Sequence, residues 1–236
     1  MTQTVVPAVA TPMTFEEVAP AFGDAYEKVT GEPLPRTLGE SFLILSAVET
    51  GRWKSLKNYN FGNITPGSTW DGDVWRPPWF APPTADTSKR YRELHEAMLK
   101  GQAPSAFRAY DTPEAGAFDY IAFLLNEDGG NQPDYSRVIQ AMRVGDDKGI
   151  VDALHATGYS KDYGPKHYPT FESLRREVNS INLSFSDSEP PRGGAPFVEP
   201  RLMAYVILFA GIGAAMFLAK RQPGVSIAFD ENGVEL

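Results

Sequence analysis

The stretch LGESFLILSAVET, residues 38–50, constrains this chain more than any other. Its spacing predicts a helix, and Phe42 to Leu45, Ala47 and Val48 make its body apolar on almost every side. A helix that is apolar all round must be buried, so the remaining elements have to wrap around this one. Its ends are marked. Thr37 and Glu40 have the T-x-x-E spacing of a capping box, Pro35 lies just outside, and Gly51 fits the stop. At 236 residues with 42% apolar side chains, the chain is long enough to build a core around such a helix.

Other segments supply the wrapping. Residues 1–13 read as a flexible lead-in, and 14–183 as one domain. TFEEVAPAFGDAYEKVT, 14–30, is a helix with Thr14 as cap and Glu17 three positions on; Pro20 predicts a late start or a kink. Residues 51–87 lack helical periodicity and hold all four tryptophans, Trp53, Trp70, Trp75 and Trp79, with short strands or a hairpin expected inside. Loops of that length are uncommon unless functional. Helices return at Ser88, which opens KRYRELHEAMLK before Gly101, and at Thr112-Pro113-Glu114, where cap, N1 proline and first-turn acid coincide. Two shorter helices are predicted over 134–144 and 146–157, and Pro169-Thr170 opens a last one. The fold class expected is mainly α, with a small β lobe or long loop beside the buried helix.

Composition removes several functions. A net charge of −8 disfavours nucleic acid as the main partner. With no cysteine there is no disulfide, thiolate zinc site or cysteine nucleophile. The three histidines, His95, His155 and His167, lack ligand spacing, so neither metal nor other cofactor is expected. The first residues, with Pro7 and Pro12 and no basic region, do not read as a secretory signal.

Residues 184–200 read as a Pro/Gly linker. The uncharged run 202–219 is long enough, at roughly 27 Å of helix, to span a bilayer core of about 30 Å. A transmembrane helix is therefore expected over 201–220, with a lipid membrane as partner and a short tail over 221–236. Lys220 and Arg221 vote for the domain lying on the far side from the cytoplasm. Ala210/Ala214 and Gly211/Ala215 have the small-xxx-small spacing that permits helix pairing, which makes a homo-oligomer a candidate assembly.

Glu49 is the residue that local stability does not explain. It sits in the last turn of the buried helix, where the macrodipole is negative. Dipole and burial both help a carboxyl keep its proton. A carboxylic acid held protonated near neutral pH is what glycoside cleavage requires of its general acid. The alternative is a surface glutamate paired with Arg52 or Lys54. Downstream, Asn58, Asn60 and Asn63 offer amides suited to sugar hydroxyls and N-acetyl groups, and Trp53 and Phe61 offer aromatic faces. Their plainer readings are turn formers and core aromatics, with Gly62 in a backbone conformation reserved for glycine.

The segment AVETGRWKSLKNYNFGNI, 47–64, resembles the lysozyme-like peptidoglycan hydrolases. It is similar to the glucosaminidase family of flagellar and autolysin type and to phage virion-associated lysins, in which a helix ends in an "ALESGWG"-like motif carrying the catalytic glutamate. Phe107–Glu114 leading into Phe118-Asp119-Tyr120 looks like that family's "FRxYxS…SxxDY" block, and His155–Asp162 with Tyr168 looks like its "GYATD…Y" block.

The resemblance spans about 38–178 and implies a lysozyme-like α+β domain with Glu49 as general acid. The substrate it implies is the peptidoglycan backbone, cut as a glucosaminidase, muramidase or lytic transglycosylase. It also implies substrate-binding positions at Trp53, Asn58, Asn60, Phe61, Asn63, Tyr110, Tyr159 and Tyr168. A second carboxylate has no motif; Asp71 and Asp73 are its candidates. The sequence departs from the pattern at Gly51-Arg52-Trp53 and at Lys161, and its 65–87 loop is long. Together with the apolar run, the resemblance places the chain as a single-pass protein of a virion membrane or host envelope, with virion proteins as neighbours. The competing reading is a non-catalytic, membrane-anchored structural or peptidoglycan-binding protein on the same fold.

Overall fold

The computed structural model describes residues 3–67, 70–125, 135–157, 163–183 and 185. In chain order its elements are α1 (Phe15–Thr30), α2 (Arg36–Thr50), β1 (Val74–Trp75), a 3₁₀ turn (Pro78–Phe80), α3 (Lys89–Leu99), β2 (Phe107–Arg108), α4 (Pro113–Leu124), α5 (Ser136–Val144), α6 (Asp147–Thr157), a second 3₁₀ turn (Pro165–His167) and α7 (Tyr168–Asn179).

Helix α2 is central, as its apolar circumference requires. Phe42, Leu43, Ile44 and Leu45 are fully buried, and α1, α5 and α7 all pack against it. Helix α4 closes the far side of α1, where Phe22 lies 5.3 Å from Tyr120 and 5.2 Å from Phe61. Where the sequence expects a cap on α1, Thr14 Oγ1 accepts from Glu17 N–H at 3.4 Å and Glu17 Oε2 accepts from Thr14 N–H at 2.8 Å. The helix runs through Pro20.

The start of α2 differs from expectation. Pro35 occupies the N-cap position and no side chain caps the helix. Glu40 does not reach back to Thr37; it accepts from Arg36 Nε at 2.9 Å and faces Arg175 at 3.6 Å. The reason is electrostatic. Arg175 projects from α7 into the interior, where it also pairs with Asp147 at 2.7 Å and donates to Ser41 Oγ at 2.8 Å. A largely buried guanidinium needs carboxylates, and Glu40 is the one that α2 can offer.

The small sheet is antiparallel, with Val74 opposite Arg108 and Trp75 opposite Phe107. Residues 3–11, expected as part of a flexible lead-in over 1–13, are held in place: Thr4 to Val6 run beside the sheet, and Val9 to Thr11 bond the 56–58 loop. Val74 N–H donates to Thr4 O and Val6 N–H to Val74 O, both at 2.9 Å. Trp75 and Phe107 stack at 4.8 Å, and with Ala109, Val6 and Trp79 they form a second, minor core. This mainly α arrangement with a two-stranded sheet fits the expected lysozyme-like α+β class.

One part of the expected fold class is corrected. Among the described residues, no helix is long and apolar enough to cross a membrane. That overturns the expected transmembrane helix and the single-pass location in a virion membrane or host envelope. The run 202–219 itself lies outside the described residues, as do the expected tail over 221–236 and, apart from Phe185, the expected linker over 184–200.

Candidate active site

The turn that leaves α2 is backbone in an uncommon state. Gly51, Arg52 and Trp53 have φ of 59°, 56° and 58°, three successive left-handed residues. Asn58, Tyr59 and Asn63 follow at 48°, 50° and 48°. All the non-glycine residues with positive φ among those described fall between 52 and 63. Each costs roughly 1–2 kcal/mol, and such strain survives only where surrounding contacts over-determine it.

Those contacts are visible. Trp53 Nε1 donates to Ser46 Oγ at 2.9 Å, and Ser46 Oγ donates to Phe61 O at 2.8 Å. Asn58 Oδ1 accepts from Val9 N–H at 2.9 Å while its Nδ2 donates to Pro7 O at 3.1 Å, so one side chain clasps the N-terminal segment. Asn60 Oδ1 accepts from Ile64 N–H at 2.7 Å, and its Nδ2 donates to Ile64 O at 2.9 Å and to Arg108 O at 3.0 Å. On the far side, a Cβ at Gly116 would sit 2.0 Å from Tyr59 O, so only glycine lets α4 approach this closely. Gly62 is not in the left-handed region that the sequence predicted. It is needed for space, since a Cβ there would meet the Tyr120 ring at 2.8 Å.

What this frame holds is Glu49. It is partly buried at the end of α2. Asn63 Nδ2 donates to its backbone carbonyl at 2.5 Å, and the Tyr163 hydroxyl donates to its Oε1 at 2.5 Å. Burial raises the Glu49 pKa from 4.5 to about 7; the hydrogen bonds from Tyr163 and Asn63 pull the other way and are outweighed. Glu49 is not tied to Arg52, whose partner is Glu177 at 2.7 Å. Tyr163 is itself buried, with Phe171 edge-on at 6.2 Å and His167 against it at 5.0 Å. Burial and the Glu49 carboxylate both raise its pKa, so it serves as a donor and not as a base. The pair is an acid poised near neutrality and a fixed hydroxyl that orients it.

The predicted site residues separate into distinct roles. Asn63 is at Glu49. Trp53 and Phe61 are 1% and 0% exposed, packed in the core behind the loop. Trp53 meets Phe15 edge-on at 4.7 Å. Asn58 and Asn60 are buried and spend their amides on backbone. Tyr110 is buried against Asp119, to which its hydroxyl donates, and Asp119 also takes Arg108 Nη1 at 2.7 and 2.9 Å. Burial, then the Asp119 charge, raises the Tyr110 pKa well above 10. Tyr168 donates to Asp152 Oδ1 at 2.5 Å at the surface.

Tyr159 lies outside the described residues. Asp71 is exposed and Asp73 partly buried just before β1; among the described residues, no hydrogen bond joins either to Glu49. Tyr163 was missed by sequence reasoning. It belongs to the run GYSKDYGPKHY, 158–168, which holds three tyrosines at spacings that do not rank them.

No protein-family model matches the chain, and no curated protein does. Among solved structures, it is similar to a peptidoglycan hydrolase from Sphingomonas sp. A1, at 23% identity and a TM-score of 0.43, over 75% of this chain and 98% of that one. A mutant of a peptidoglycan hydrolase from Sphingomonas sp. A1 is similar at 23% identity and a TM-score of 0.43, over 70% and 96%. The glycoside hydrolase domain of Salmonella typhimurium FlgJ is similar at 17% identity and a TM-score of 0.42, over 71% and 90%.

Proposed function

We propose that this chain cleaves the glycan backbone of peptidoglycan, with Glu49 as general acid. The observation that carries the reading is the Glu49–Tyr163 pair: a carboxyl raised to about 7 and held at 2.5 Å by a buried hydroxyl. A general acid works best with a pKa near the operating pH. Protonated Glu49 gives its proton to the glycosidic oxygen as the bond from that oxygen to the anomeric carbon breaks. Positive charge then develops on the sugar ring, beside the carboxylate that remains. Asn63, at the end of the strained Arg52–Asn63 loop, holds the Glu49 backbone carbonyl.

Two routes complete the reaction. Water activated by a second carboxylate gives hydrolysis, with Asp71 and Asp73 as candidates. Attack by the sugar's own hydroxyl gives a 1,6-anhydro end and needs no second acid. The first step by Glu49 is common to both. The test is Glu49→Gln, an isostere that cannot donate a proton. A folded variant that no longer clears peptidoglycan in a zymogram supports the reading; undiminished clearing by that variant overturns it. Mass spectrometry of the released fragments then separates reducing from 1,6-anhydro ends.

A further inference from the structure

Residues 3–11 lie outside the stretch, about 38–178, over which the sequence resembles the lysozyme-like hydrolases. They join the small sheet to the loop that leaves α2. At one end Gln3 Nε2 donates to Trp70 O at 3.3 Å, and the Thr4–Val6 backbone bonds Val74 from both sides of one peptide unit. At the other end Ala10 bridges Lys57, and Thr11 N–H donates to Leu56 O at 3.1 Å. The next contacts fall on strained backbone. Asn58 and Tyr59 are left-handed, at φ of 48° and 50°. Asn58 N–H donates to Val9 O at 2.9 Å, and Tyr59 N–H to Thr11 Oγ1 at 3.1 Å. The N–H groups of both left-handed residues therefore end on this segment, and the Asn58 side chain returns two more bonds, from Val9 N–H and to Pro7 O. β2 grips the same loop through Tyr110 N–H to Asn58 O at 3.0 Å and Arg108 N–H to Ile64 O at 2.9 Å. Asn63, left-handed at 48°, hangs from the held loop with its Nδ2 on the Glu49 carbonyl.

We propose that residues 3–11 are a positioning strap for the acid: they fix the left-handed turn at Asn58 and Tyr59, the turn fixes Asn63, and Asn63 fixes Glu49. Its bearing on catalysis rests on the glycan-cleaving reading above. Left-handed residues other than glycine persist where surrounding contacts over-determine them, and at 58 and 59 the strap supplies those contacts. It acts through hydrogen bonds more than through burial, since the side chains of Val5 and Val9 are 51% and 53% exposed. Single bonds can therefore be removed without opening the core. The effect on Glu49 has a sign. The Asn63 bond pulls the Glu49 pKa down against burial. The ionisable groups that face Glu49 are Tyr163, ahead of α7, and Tyr120, on α4. Neither lies on the strap, so slackening it frees Asn63 and leaves that cover in place.

The experiment is a carbon-13 NMR titration of the Glu49 carboxyl in the full chain. Thr11→Val removes the acceptor for Tyr59 N–H, Val9→Pro removes the donor to Asn58 Oδ1, and Thr11→Ser keeps the hydroxyl. Unchanged amide spectra for α5 and α6 report that a variant is folded. The Glu49 midpoint is expected to rise by about half a unit or more in Thr11→Val and Val9→Pro, with faster exchange of the Asn63 side-chain amide, and to stay at the parent value in Thr11→Ser. An unmoved or lower midpoint in either folded variant overturns the strap, even where the melting temperature falls, because the segment is then structural only. Clearing of peptidoglycan by the unmodified chain is measured in parallel. Clearing with an unmoved midpoint sinks the strap alone. A raised midpoint in a chain that does not clear peptidoglycan supports the strap and sinks the glycan-cleaving reading.

Discussion

Tyr163 Oη donates to Glu49 Oε1 at 2.5 Å, joining the end of α2 to the segment that leads into α7. A hydroxyl in that position stabilises the carboxylate and so lowers the pKa that burial has raised. Tyr163→Phe keeps the ring between His167 and Phe171 and deletes only this donor. Glu49 then holds its proton to higher pH. The alkaline limb of the pH–rate profile is expected to move up by about one unit, with a lower rate at the optimum because the carboxyl is less well oriented. A limb that stays in place counts against Tyr163 acting on Glu49.

The same acid makes stability depend on pH. Folded Glu49 releases its proton at about 7, whereas an ordinary glutamate does so at 4.5. Between those values the folded chain binds more protons than the unfolded one, so stability falls as pH rises. The Glu49 contribution is complete below about 4.5 and lost above about 7. At 1.36 kcal/mol per unit, trimmed for partial exposure, the loss is on the order of 2 kcal/mol. Glu49→Gln has no such term. It is expected to be more stable than the parent at pH 8, by about that amount, and to converge with it at pH 4. Urea melts at the two pH values check this.

Much of the frame around the acid was legible in advance. The buried helix, its glycine stop and the caps at Thr14, Ser88 and Thr112 are local signals, and local hydrogen bonds realise them. Legibility failed where a distant partner decided the outcome. Glu40 had the spacing of a capping residue, yet it pairs with Arg36 at 2.9 Å and also faces Arg175, far along the chain, at 3.6 Å. Trp53 and Phe61 had the chemistry of sugar platforms, yet Phe15 and Phe22 of α1 bury them. Tyr163 could not be told from Tyr159 and Tyr168 because nothing local distinguishes a tyrosine that meets a carboxylate across the fold.

Asn58 shows how a loop residue supports the wall from outside. Its side chain bonds Pro7 and Val9 while its own φ is 48°. Asn58→Ala removes both bonds and leaves a β-carbon in a left-handed conformation, an expected loss of about 2–3 kcal/mol. Asn58→Gly relieves the backbone and is expected to lose about 1 kcal/mol less. Thermal melts of the two variants rank them, and amide exchange at Val9 is expected to quicken in both.

Arg108 and Asp119 form the most enclosed ion pair of the β side, with side chains 4% and 14% exposed. Trp70 lies over the guanidinium at 4.5 Å. Asp119→Ala leaves the guanidinium without its carboxylate, and a loss of about 3–5 kcal/mol is expected from denaturant melts. A loss under about 1 kcal/mol contradicts the assignment of this pair as the tie between β2 and α4.

The hydrogen bond between Glu49 and Tyr163 closes a loop of 114 residues. A growing chain makes the acid well before the hydroxyl that orients it, since 114 positions separate them. Contacts this distant in sequence form slowly, because loop closure must precede them. Until α7 has docked, α2 ends in a carboxyl with no Tyr163 beside it, free to take its ordinary ionisation in water. On the proposed reading of Glu49, competence to donate a proton at neutral pH arrives only once Tyr163 is in place, and in a nascent or partly unfolded chain it is absent.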